Sequence, residues 1–160
     1  AIAATRKALA GRPLVGGLLS IPAAPAIHSS AAILRRVVDC GGGVLLWWED
    51  VYDGRKLAQV AAASRLVARN EEFFLNGEEA SGIAASPLTD AIVVRRLGNA
   101  ALVVLLNESA VPLTVPLQIK QPFVEIRDAI TSRGLPVRRT WHETVPGGGF
   151  KAFVLTLPEA

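Results

Sequence analysis

The spacing of apolar residues along this chain changes once, from helical to strand-like, and the change divides it in two. Ala1 to Ala10 reads as the interior of a helix, Gly11-Arg12-Pro13 breaks it, and Leu14 to Ile21 is an apolar run of strand length. Pro22 and Pro25 force a loop. Ser29 and Ser30 are N-caps for a helix in which Ile33, Leu34, Val37 and Val38 recur at helical spacing until Gly41. Val44 to Trp48 is a second strand, and after the loop Glu49 to Tyr52, Asp53 can cap a long helix from about Gly54 to Leu75. Its apolar stripe takes in Leu57, Val60, Ala61, Ser64, Val67, Ala68 and Phe74, with Gln59 elsewhere on the surface and Asn76-Gly77 as its stop. Helix, strand, helix, strand, helix with near-continuous apolar strands predicts a parallel sheet covered by helices, which two strands cannot complete alone.

From Ser81 onward the runs shorten. Ala91 to Leu97, Ala101 to Leu106, Leu113 to Ile119, Phe123 to Ile130, Val137 to Thr144 and Phe150 to Leu157 are separated by Gly-Asn, Asn-Glu-Ser, Gln-Pro, Arg-Gly and Pro-Gly-Gly-Gly turns. Closely spaced strands without helices predict an antiparallel β-sandwich. Pro112 and Pro116 place Leu113 to Ile119 on an edge. The fold class is therefore α/β followed by all-β, with the two parts at residues 1–76 and 77–160.

Composition narrows the function classes. With 51% hydrophobic residues the chain can bury a substantial core. Every apolar run is broken short of the roughly 20 residues a membrane helix needs. The net charge of +3 is spread over thirteen arginines with no lysine-rich block, and Arg35-Arg36, Arg95-Arg96 and Arg138-Arg139 are isolated pairs, so no nucleic-acid partner is expected. The lone Cys40 lacks the companions of a zinc site or disulfide framework and reads as a small buried hydrophobe. No cofactor or metal is expected. The chain contains no Met and opens inside a helix, so it reads as the tail of a longer protein whose compartment the sequence leaves open.

The chemistry concentrates in Gly41-Gly-Gly-Val-Leu-Leu-Trp-Trp-Glu-Asp50, where an apolar strand ends in two indoles and two carboxylates. In parallel α/β architectures ligands bind beyond the carboxyl ends of the strands. The three glycines precede the strand, whereas a phosphate-cradling loop follows one, which disfavours a nucleotide site.

Gly43-Val-Leu-Leu-Trp47 between helices resembles the eighth strand of a (β/α)8-barrel glycoside hydrolase. Ala101-Leu-Val-Val-Leu-Leu-Asn107-Glu-Ser, Arg127-Asp128-Ala-Ile and Gly149-Phe-Lys-Ala-Phe-Val-Leu-Thr-Leu157 resemble the small β-sandwich that follows such barrels. The resemblance implies that Leu14 to Ile21 is strand seven and Val44 to Trp48 strand eight, with the remaining barrel upstream. Many retaining enzymes of this fold carry a nucleophilic Glu at the end of strand seven, but here the run ends Leu18-Leu19-Ser20-Ile21. The main acids would then lie upstream, or the barrel would be inactive; in either case this chain alone should hydrolyse nothing.

Within that frame the mouth residues are Trp47, Glu49, His28 and Asp50. Trp47 and Trp48 point to opposite faces, and Glu49 shares the parity of Trp47. A carboxylate is cheaper at a solvated mouth than buried, so Trp47 is the indole facing a sugar, although both indoles could equally fill core. Glu49 is a hydroxyl-binding residue and the weak catalytic candidate; Asp53 more naturally caps the helix. His28 could donate to a hydroxyl from its loop, or simply lie on the surface. Trp141, His142 and Glu143 form a conceivable remote sugar-binding patch, with Trp141 as core the plainer reading. The expected partner is an oligo- or polysaccharide. A non-catalytic carbohydrate-binding or structural protein of the same architecture remains open.

Overall fold

The computed structural model describes residues 18–19, 29–40, 45–46 and 54–158. The first elements are β1 (Leu18–Leu19), α1 (Ser30–Cys40), β2 (Leu45–Leu46), α2 (Gly54–Arg69) and α3 (Glu71–Leu75). Then follow β3 (Glu78–Glu79), β4 (Ala84–Ala85), β5 (Ile92–Leu97), β6 (Ala100–Leu106), β7 (Leu113–Ile119), β8 (Glu125–Asp128), β9 (Thr140–Val145) and β10 (Phe150–Thr156). The opening helix and most of the run Leu14 to Ile21 lie outside the described residues.

β1 and β2 pair in parallel, Leu18 with Leu45 and Leu19 with Leu46, and α1 connects them. A closed barrel is not shown; the described residues contain this one parallel pair. The remaining strands form antiparallel sheets of five strands, in the order β3-β5-β6-β10-β8, and of three, β4-β7-β9. β5 and β6 join through the two-residue turn Gly98-Asn99, where Gly98 alone has positive φ (57°), as a type II′ turn requires.

Three layers result. On β6, Leu102, Val104 and Leu106 pack with Ile33, Leu34, Leu66 and Phe74 of the helices, while Ala101, Val103 and Leu105 pack with Val115, Leu117 and Ile119 of β7. The five-stranded sheet is thus covered on both faces, so β6 is apolar at consecutive positions rather than alternating.

Four expectations need correction. The long helix breaks at Asn70, whose side-chain amide donates to the Leu66 and Ala129 carbonyls while its backbone N–H turns to Val67 O. An amide that holds an i−4 carbonyl and another segment competes with the helical ladder. The buried face of α2 is also not the expected stripe: Ala63, Leu66 and the following Asn70 are buried, whereas Leu57 is 47% exposed and Ala61, Ser64 and Ala68 lie outside. β7 is central in its sheet, not an edge strand. Ile119 N donates toward β9 (to Arg139 O) and Lys120 N toward β4 (to Ile83 O), so alternation directs Pro116's missing donor to the β4 side. β4 ends opposite Gln118, so no ladder bond is lost there. Finally, β8 stops at Asp128, short of Ile130, because the Asp128 carboxylate captures the Ile130 and Thr131 N–H groups.

Candidate functional site

The in-register parallel pairing sets the carboxyl ends of β1 and β2 side by side, with α1 returning the chain between them. Trp47, Glu49 and Asp50 follow Leu46 in sequence and His28 precedes Ser29; these four, with Trp48 and Asp53, lie outside the described residues. Of the described residues, those that follow His28 in the chain form the start of α1.

That start is closed by protein groups. Ser29 is the N-cap, its Oγ accepting from Ala32 N at 3.2 Å and its carbonyl from Ile33 N at 3.0 Å. Ser30 N donates to Gln59 Oε1 of α2 (3.0 Å), and Ala31 N and Ser30 Oγ both donate to Gly148 O (3.2 and 3.1 Å). Gln59, assigned to the outer surface from its spacing, therefore faces α1. With these donors engaged, the helix start offers no ready anion site.

Gly148 belongs to the turn that carries the chain from β9 in one sheet to β10 in the other. Its φ is +65°, and a Cβ there would approach Ser29 Cβ to 3.0 Å. A neighbouring side chain at 147 would strike Ala110 O at 2.2 Å. The Pro-Gly-Gly-Gly sequence thus lets the two-sheet part press its backbone against the helix that follows β1.

Elsewhere among the described residues, two cavities are lined by charged or aromatic side chains. The larger, about 930 Å³, lies between α1 and the β3–β5 region; Arg35, Arg36, Asp39, Glu79, Asp90 and Lys120 line it with charges of both signs. Arg35 pairs with Glu108 (3.2 Å) and donates to the Asp90 carbonyl. The smaller, about 190 Å³, includes Trp141 and Glu143. These two do not share a face with His142: Trp141, Glu143 and Val145 turn inward, while Thr140, His142 and Thr144 are exposed. The two-residue period of β9 already carries this separation. What sequence reasoning missed is Leu135 and Arg138 beside the indole: Arg138 fell in the run Val137 to Thr144 read as a strand, but β9 starts only at Thr140, and the connection before it carries both residues to Trp141. Cys40 is buried as expected, and no metal-holding group of His, Cys, Asp or Glu occurs among the described residues. Among them, no helix is long and apolar enough to cross a membrane.

No protein-family model and no curated protein matches the sequence. Solved structures do resemble it in fold. An Anoxybacillus α-amylase superposes at a TM-score of 0.62 with 11% identity, over 98% of this chain and 42% of its own. A maltogenic α-amylase from Thermotoga neapolitana gives 0.54 and 11% over 89% and 41%, and α-galactosidase I from Mortierella vinacea gives 0.55 and 12% over 88% and 40%. The chain spans less than half the length of these glycoside hydrolases.

Proposed function

We propose that this chain is the C-terminal portion of a carbohydrate-active, glycoside hydrolase-like enzyme. Residues 1–76 supply the last strand-helix units of a (β/α)8 barrel and residues 77–160 a β-sandwich. The parallel β1-α1-β2 unit, followed by α2, α3 and then two antiparallel sheets, carries this reading, and the likeness to parts of α-amylases and α-galactosidases supports it. Trp47, Glu49, His28 and Asp50 line part of the substrate cleft, and the main catalytic carboxylates lie upstream. Trp47 stacks on a sugar's C–H face and Glu49 accepts from hydroxyls. The sandwich holds α1 in place through Gly148.

The test uses the intact parent protein with maltose, maltotriose and an α-galactoside. W47A should weaken oligosaccharide binding by about 1 kcal/mol or more with the fold retained. E49Q should keep part of the activity if Glu49 only binds hydroxyls; a loss of several orders of magnitude in kcat at unchanged affinity would make it catalytic. No sugar binding by the parent, and no effect of either variant, would refute the reading. Binding without turnover would select a non-catalytic carbohydrate-binding protein, the reading in which the lack of a carboxylate in Leu18-Leu19-Ser20-Ile21 marks an inactive barrel.

A further inference from the structure

β8 and β9 are edge strands of their respective sheets, so the inner faces of both open to solvent along one side of the molecule. The connection between them covers part of that side and leaves the cavity of about 190 Å³. Ile126 and Phe153 contribute to it from the five-stranded sheet, Trp141 and Glu143 from β9, and Leu135 and Arg138 from the connection.

Positions between packed sheets are ordinarily apolar, because a charge there must be paired to offset its desolvation. Glu143 departs from this rule and is held in place. Its Oε2 accepts from Trp141 Nε1 at 3.3 Å, and its Oε1 lies 3.6 Å from Lys151 Nζ of the opposite sheet. Each oxygen keeps acceptor capacity beyond these contacts. Trp141 is held as well, perpendicular to Phe153 with ring centroids 5.8 Å apart, yet it remains half-buried and borders the cavity. An inward charge can by itself guard an edge strand against pairing with another chain. That role requires neither an indole wall nor a guanidinium at the rim.

We propose that this cavity binds a single pyranose ring, as a free hexose or the end of a chain. The ring's C–H face lies on Trp141 and its hydroxyls meet the Glu143 carboxylate and the Arg138 guanidinium. The volume is below the roughly 300 Å³ at which pockets for larger ligands begin, so it admits one ring and not an extended chain. Lys151 offsets Glu143, which leaves Arg138 as one cation at the exposed rim, where solvent screens it, so the indole and the paired carboxylate inside fit a neutral hydroxylated ligand better than an anion. The site lies in the two-sheet part and stands independently of the cleft assigned to Trp47 and Glu49.

The test follows the Trp141 indole N–H resonance of the full chain, assigned by its loss in W141F, during titration with glucose, galactose and maltose. A saturable shift is expected at roughly millimolar sugar. R138A, at an exposed position, and E143Q should each weaken it at least about threefold with an unchanged Tm, and W47A should leave it intact. An indole resonance unmoved by all three sugars would overturn the proposal. So would a titration indifferent to both R138A and E143Q, or one abolished by W47A, which would place the sugar at the end of β2.

Discussion

Single side chains fix the joints of the two-sheet part, and Asn107 is the densest of them. It is 2% exposed; its amide donates to Val111, Val145 and Pro146 carbonyls (2.7 to 3.2 Å), and its Oδ1 accepts from Ser109 N and Oγ. N107A leaves several buried acceptors without a donor and should cost about 2 to 4 kcal/mol in chemical denaturation. N107D should be no better, because a carboxylate cannot donate to three carbonyls. Asp128 works in the opposite sense, as an acceptor. Partial burial pushes its carboxyl pKa up, but the Thr131 N–H and hydroxyl, the Ile130 N–H and the charge of Lys151 outweigh that and hold it below the ordinary 3.8. A carboxyl depressed in the folded state stabilises the fold above its unfolded value and loses that contribution as pH falls through the native one. The acid limb of stability below about pH 4 should therefore flatten in D128N, which retains an acceptor but does not titrate, as urea midpoints across pH would show.

At the scale of elements, what matters is how helices are held to the sheet. Arg95 is buried on β5 and donates from Nε to Phe73 O (3.2 Å) and from a terminal nitrogen to Phe74 O (3.4 Å), placing positive charge at the carbonyl end of α3. R95M keeps the apolar stem and removes these donors. It should cost about 1 to 3 kcal/mol, with amide-exchange protection lost first in α3. G148A tests the joint between the Pro146–Gly149 turn and α1. An alanine at φ +65° is strained by about 1 kcal/mol and is driven toward Ser29, so protection at Ala31 and Ala32 should fall before that of β10. Protection lost uniformly in either variant would mean that the element is not anchored locally.

For the whole molecule, the five-stranded sheet ties the parts together. A chain of residues 77–160 would strip the helices from Leu102, Val104, Leu106 and Val154, each worth roughly 1.5 to 3 kcal/mol when buried. It should melt well below the full chain and bind a hydrophobic dye. A monomeric 77–160 chain melting cooperatively at the full-length temperature would show that the helical layer is dispensable. On the other side, the exposed face of α2 with Leu57, Ala61, Ser64 and Ala68 lacks cover among the described residues, as a helix packed in a larger array would.

Most strands and the cap of α1 were legible in the sequence because they are set locally: a two-residue period, a Ser at the right step, a turn glycine. β7 matches its apolar run end to end, and Ser29 caps as its type demands. The same local rules could not say that Gln59 faces α1, that Asn70 reaches Ala129, or that β7 is flanked on both sides, since each depends on a segment distant in sequence. The four cleft residues, three from one strand end and His28 from the loop before Ser29, lie outside the described residues, so for them the sequence still speaks alone. For Trp141 and Glu143 the sequence determined a shared face, through their two-residue spacing. Only the tertiary structure decided that this face looks inward, toward Lys151 and a cavity bordered by Arg138. Periodicity encodes how a side chain is disposed along its own element; the partner it meets is fixed by long-range packing, which no local spacing records.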